Sequence, residues 1–161
     1  MLRARGAHPR VVQLDMIIED SFHVDAPLHR TWPVLNDFPR VAACIPNAQV
    51  TDAVDERTYR GKVSLRFGPV EVSYRGTVLI GMVDEDARSA VFHVRGDDSR
   101  GQGGVWATVV TRAEAAGHKT RISMRTEAQI SGVVATVGSL LIKRVAKNTL
   151  ARFAENLAAI A

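Results

Sequence analysis

From Ala48 to Ile130 apolar and polar residues alternate with a period of two, and turn signals cut the alternation into segments. Successive side chains of a strand point to opposite faces, so this stretch can form only strands with one apolar and one polar side. One run is Thr58 to Phe67. It sets Tyr59, Gly61, Val63, Leu65 and Phe67 against Arg60, Lys62, Ser64 and Arg66. Gly68-Pro69 makes a turn, and the next run sets Val70, Val72, Tyr74, Gly76, Val78, Ile80 and Met82 against Glu71, Ser73, Arg75 and Thr77. Ala90, Phe92 and Val94 follow, then a loop predicted over Gly96 to Gly104 from its Gly, Asp and Ser content. Val105, Ala107 and Val109 continue the pattern, and Ile122, Met124, Thr126, Ala128 and Ile130 complete it. Clean alternation with short connections implies an antiparallel sheet, buried on one face and wet on the other.

The flanks of this stretch decide what covers the buried face. Ile17 to Val24 reads as a first strand. Asp25 and Pro27 start a short helix with Leu28, Trp32 and Leu35 on one stripe, and Asp37 and Pro39 start a second that ends near Cys44. At the other end Ser131 to Ala161 reads as one long helix with Ser131 as its cap. Ile142, Val145, Leu150, Phe153 and Leu157 recur at helical spacing. Val133 to Ile142 carries no charge, so it is enclosed or meets something other than water. It is too short to span a bilayer, which needs about 20 residues. Together these elements predict an α+β helix-grip fold. A curved antiparallel sheet of about seven strands wraps around a long C-terminal helix, with two short helices after the first strand. Residues 1–14 are expected to be a disordered basic arm and residues 15–161 a single domain.

The chain is expected to lack a signal peptide and a transmembrane run. A single cysteine, Cys44, excludes a disulfide framework and fits the cytoplasm. Arg3, Arg5 and Arg10 supply most of the net charge of +4, so the folded part is nearly neutral and no nucleic-acid partner is expected. The five histidines show no metal-ligand spacing, and no metal site is expected. The predicted inner face, as far as the apolar runs define it, carries no Asp, Glu, His, Lys or Arg. General acid–base catalysis needs a titratable group at the reacting atom, so no catalytic residue is assigned. Many of the inner residues are small. This is compatible with an apolar ligand cavity and equally with a core closed by packing, in which Tyr59 and Tyr74 are rim tyrosines.

Several motifs then resemble those of one family. Phe22-x-Val24, Ala26-Pro27 and Trp32 look like the entry to helix-grip proteins of the START/polyketide-cyclase superfamily. Val41-Ala42-Ala43-Cys44-Ile45-Pro46, Tyr59-Arg60-Gly61, Phe67-Gly68-Pro69-Val70 and Tyr74-Arg75-Gly76 follow in order. So do Gly96-x-x-x-x-Gly101-x-Gly103, Ile130-Ser131-Gly132, Val137-Gly138-Ser139-Leu140-Leu141 and Phe153-x-x-Asn156-Leu157. The set resembles the CoxG family of carbon monoxide dehydrogenase subunits across roughly residues 16–160, departing at Asn47, where the family usually has glycine.

The resemblance implies a non-catalytic accessory protein of a molybdenum hydroxylase, binding a quinone such as menaquinone or ubiquinone and linking the enzyme to the membrane. On that reading Tyr59 and Tyr74 orient the polar head of the ligand. Leu65, Phe67, Val78, Phe92, Met124, Ile142 and Leu150 line the pocket. Val133, Val134, Val137, Leu140 and Leu141 form its entrance or a membrane contact. Family members carry a membrane-associated tail past the long helix. With the sequence ending at Ala161, ligand binding is expected to persist better than anchoring. The expected location is the cytoplasm, peripherally on the inner face of the cytoplasmic membrane. The alternatives are a cyclase- or dehydrase-type enzyme on the same fold and a docking or assembly factor with a filled core.

Overall fold

The computed structural model describes residues 12–161. The elements run β1 (Gln13–Val24), α1 (Leu28–Leu35), α2 (Phe38–Ala43), β2 (Ala48–Ala53), β3 (Thr58–Phe67), β4 (Val70–Asp84) and β5 (Ser89–Asp98). Then come β6 (Gly104–Ala116), β7 (Lys119–Ser131), a 3-10 segment (Val133–Val137) and α3 (Ser139–Ile160). The seven strands form one antiparallel sheet in the order β1-β7-β6-β5-β4-β3-β2, with α3 against β1. This is the α+β helix-grip arrangement that the alternation predicts. β1 starts at Gln13, so residues 13 and 14 of the expected basic arm belong to the sheet, while residues 1–11 lie outside the described residues.

The packed core is divided. One cluster joins Met16, Phe67, Val72, Tyr74, Ala128, Ile130, Val134, Ala135 and Ile142 at the end of the sheet nearest the 3-10 segment. The other joins Val24, Ala26, Val34, Cys44, Ala113, Ile122, Phe153, Ala154 and Leu157 at the opposite end, beneath α1 and α2. In α1 the fully buried positions are Thr31 and Val34, and the predicted stripe of Leu28, Trp32 and Leu35 flanks them half-buried.

Three further expectations are corrected. Ser131 does not cap a helix. It ends β7, and its Oγ accepts the Gly104 amide at 3.0 Å. Gly132 and Gly138 sit at φ 88° and 90°, a region that L side chains avoid, so the chain turns twice before α3 begins at Ser139. The loop predicted from Gly96 is shorter, because β5 continues to Asp98. Met82 is 76 % exposed rather than inward. A register shift between Ile80 and Val83 puts one extra residue into β4 opposite β5 and flips the alternation.

Backbone groups at the α1 end are satisfied by side chains. Thr31 and Thr120 are fully buried. Thr120 Oγ1 donates to Ala26 O at 2.9 Å and lies 3.1 Å from Thr31 Oγ1, while Thr31 Oγ1 donates to Pro27 O at 3.1 Å. Asn156 of α3 donates to the carbonyl of Cys44 at 2.9 Å, and Arg40 of α2 to that of Ile160 at 3.3 Å. Replacing Thr120 by Val keeps the shape and removes this donor. Thr120→Val is expected to lower unfolding free energy by about 1–2 kcal/mol in urea denaturation. An unchanged midpoint would show that the bond contributes nothing.

Candidate functional site

Between the two clusters the inner face is lined but not closed. One row of paired residues crosses it from Tyr59 through Val78 and Val94 to Ala107 and Ala128. The next row runs from Ile80 through Phe92 and Val109 to Thr126 and Ile18. Tyr59, Val78, Ile80, Phe92, Val94 and Val109 are half-buried and belong to neither cluster. Phe38, at the start of α2, stacks on Tyr59 with ring centroids 4.9 Å apart and lies 6.2 Å from Phe92. These three rings form a partly exposed aromatic group where α2 meets β3 and β5. Leu150 of α3 is half-buried and also outside both clusters.

The predicted ligand residues therefore separate. Tyr59, Val78, Phe92 and Leu150 lie at the gap. Phe67, Tyr74 and Ile142 are buried members of the first cluster, with Leu65 packed against it, and Met124 packs against the second. The predicted entrance is also divided. Val134 is 2 % exposed, and Val133, Val137 and Leu141 pack against the first cluster, so this segment plugs the end of the grip. Only Leu140, 82 % exposed, meets solvent fully. A separate concavity of about 540 Å³ opens on the outer side of β3 and β4, lined by polar residues including Lys62, Ser64, Ser73, Arg75 and Ser99.

Two carboxylates on the inner side escape an inner face drawn from apolar residues alone. Continuing the alternation of β5 past Val94 and Gly96 reaches Asp98, which is buried. Its Oδ1 accepts the Arg100 amide at 3.2 Å and its Oδ2 the Gln102 amide at 3.3 Å, so it organises the β5–β6 loop. In β1 the same parity as Ile18, Phe22 and Val24 brings Asp20 inward, half-buried. Phe38 was missed because no periodicity marks the first residue of a six-residue helix. His23, His29 and His93 are exposed. Among the described residues, no group of three or more His, Cys, Asp or Glu side chains is placed to hold a metal ion. Burial pushes the Cys44 thiol up, with Arg40 opposing it.

The profile of the CoxG family of carbon monoxide dehydrogenase subunits matches residues 21–161. The chain belongs to that family. Its fold is shared with solved structures at low identity. A conserved protein from Geobacillus kaustophilus matches with TM-score 0.77 and 19 % identity, over 91 % of this chain and 93 % of that one. Norcoclaurine synthase from Thalictrum flavum, solved with dopamine and hydroxybenzaldehyde, matches with TM-score 0.56 and 16 % identity, over 92 % and 87 %. A START superfamily protein from Mycobacterium smegmatis matches with TM-score 0.57 and 11 % identity, over 89 % and 94 %. No curated protein sequence matches the chain. No helix among the described residues of this CoxG-family chain is long and apolar enough to cross a membrane.

Tyr74 offers a test of the first cluster. Burial, and next the Asp98 charge, push its phenol up to about 12 from an ordinary value of 10. A raised acid leaves stability intact below pH 10 and removes it as pH climbs from 10 through about 12. The ultraviolet tyrosinate titration of wild type minus that of Tyr74→Phe is expected to show one phenol ionising near pH 12. Ionisation near pH 10 would contradict its placement beside Asp98.

Proposed function

We propose that this chain is a non-catalytic accessory protein of a CO dehydrogenase-like molybdenum hydroxylase, carrying an isoprenoid quinone between sheet and helix. The observation that carries the reading is the divided core. A face of Tyr59, Val78, Ile80, Phe92 and Val94 left half-buried between two packed clusters loses burial free energy that an apolar guest restores. A buried side chain of this size contributes about 1.5–3 kcal/mol, so filling such a face is a strong drive. Membership of the CoxG family supplies the partner, a molybdenum hydroxylase. The small molecules bound by norcoclaurine synthase support use of this fold for ligands.

In this reading the planar head of menaquinone or ubiquinone lies against Phe38, Tyr59 and Phe92, with Val78 and Leu150 beside it. Leu65, Phe67, Tyr74, Met124 and Ile142 are the walls behind. Leu140 touches the membrane surface where cargo is exchanged, on the cytoplasmic side, and the protein is peripheral there. A cyclase- or dehydrase-type enzyme is the second reading, and Asp20 is the inward titratable group that favours it.

Organic extraction of protein purified without detergent, followed by mass spectrometry, is expected to yield menaquinone or ubiquinone in near-stoichiometric amount. Phe92→Asp should abolish retention while the far-ultraviolet circular dichroism stays native. A clean extract with no uptake of added menaquinone or ubiquinone would replace the carrier by a docking factor. A chemically altered extract after incubation with cargo would favour the enzyme.

A further inference from the structure

Asp20 occupies an unusual place. Of the inward residues of β1, Leu14, Met16 and Ile18 belong to or pack against the first cluster, and Phe22 and Val24 the second. Asp20 stands between them, at the seam of the core, on the strand that α3 covers. Its partner across the sheet is Met124, whose next neighbour is Thr111, and Thr126 lies one inward position along β7. Among the described residues its one side-chain hydrogen bond is from the Ser21 amide to Oδ1 at 2.9 Å, and it makes no ion pair. Oδ2 is left with no protein donor among those residues. Asp98 differs, because loop amides engage both of its oxygens. Setting a carboxylate beneath a helix between apolar clusters costs free energy, and the sheet gains nothing in packing from it.

We infer that Asp20 is the acceptor for a hydroxyl at the polar end of the ligand, so that the chain binds a hydroquinone in preference to the corresponding quinone. The inference rests on the carrier reading above. An ionised carboxylate offers only acceptors. The two carbonyl oxygens of a quinone are also only acceptors, and facing Asp20 they repel it. The two hydroxyls of the hydroquinone donate, and a hydroxyl-to-carboxylate bond is among the stronger protein hydrogen bonds. A preference of about tenfold to a hundredfold follows from the usual worth of such a bond. The protein itself exchanges no electrons. Each tenfold of preference raises the midpoint potential of the bound two-electron couple by about 30 mV. A carrier of this kind therefore suits removal of the reduced product from an enzyme that reduces quinone.

The test is anaerobic calorimetric titration of the full chain with decylubiquinone, with decylubiquinol, and with the dimethyl ether of decylubiquinol, which keeps the shape and lacks the donors. Wild type is expected to bind decylubiquinol at least about tenfold more tightly than either other compound. In Asp20→Asn, whose amide can donate to a carbonyl, that preference should vanish or reverse. Equal binding of all three by wild type would overturn the inference and leave the carrier reading standing. So would a preference unchanged in Asp20→Asn. Binding of none of them would overturn both. The wild-type comparison stands even if the variant does not fold.

Discussion

β1 pairs with β7 along all of its 12 residues, and α3 then lies against β1. The rest of the structure depends on that packing, and its dimensions set a limit. A helix of 22 residues is about 33 Å long and about 10 Å across its side chains. Strands lie about 4.8 Å apart, so α3 covers about two strand widths of a seven-stranded sheet. Curvature brings further strands under it, and α3 does reach β3. The inner face is nevertheless wider than one helix can fill.

The two ends of the grip are closed by different chemistry. At one end α1 and α2 lie over the sheet, tied by Thr120 to Ala26, by Asn156 to Cys44 and by Trp32 Nε1 to Glu85 at 2.8 Å. At the other, the β5–β6 loop meets the start of the 3-10 segment so tightly that a Cβ on Gly132 would lie 1.7 Å from Gln102 O. Both closures give partners to backbone groups that burial would otherwise strand. The bending between them comes from Gly61, Gly76 and Gly96, which pair directly across β3, β4 and β5. A Cβ on Gly76 would lie 1.8 Å from Arg95 O, so these strands approach as only glycine allows. Stability resides in the ends, and the middle is left free of a packing role.

The sheet was legible because alternation records which side of a strand is dry, and β3 matches its predicted bounds. The start of α3 was not legible. Val133 to Ile142 is apolar all round, which a helix and a core plug share, and only the positive φ of Gly132 and Gly138 separates them. Met82 misled because a bulge changes the parity without changing composition. Tyr59, Val78, Phe92 and Leu150 were placed at the gap correctly, whereas Phe67, Tyr74 and Ile142 serve as its end wall. Asp20 and Asp98 were missed for one reason. An inner face defined by apolar residues stops where a polar one continues the same parity.

That parity also gives the gap a direction. Its aromatic side is Phe38, Tyr59 and Phe92, on α2, β3 and β5. Its polar side is Asp20, Thr126 and Thr111, on β1, β7 and β6, nearer the opposite edge of the sheet. A sheet that curls about a helix brings these two sides to face each other across the gap. A flat, conjugated molecule with hydroxyls on its ring can stack on the first and donate to the second at once. An aliphatic chain or a fully capped ring can use only the first. Selectivity in such a site would come from Asp20, while most of the affinity would come from apolar contact, so a carrier could exchange its cargo through a change in the cargo's own redox state without rearranging the fold.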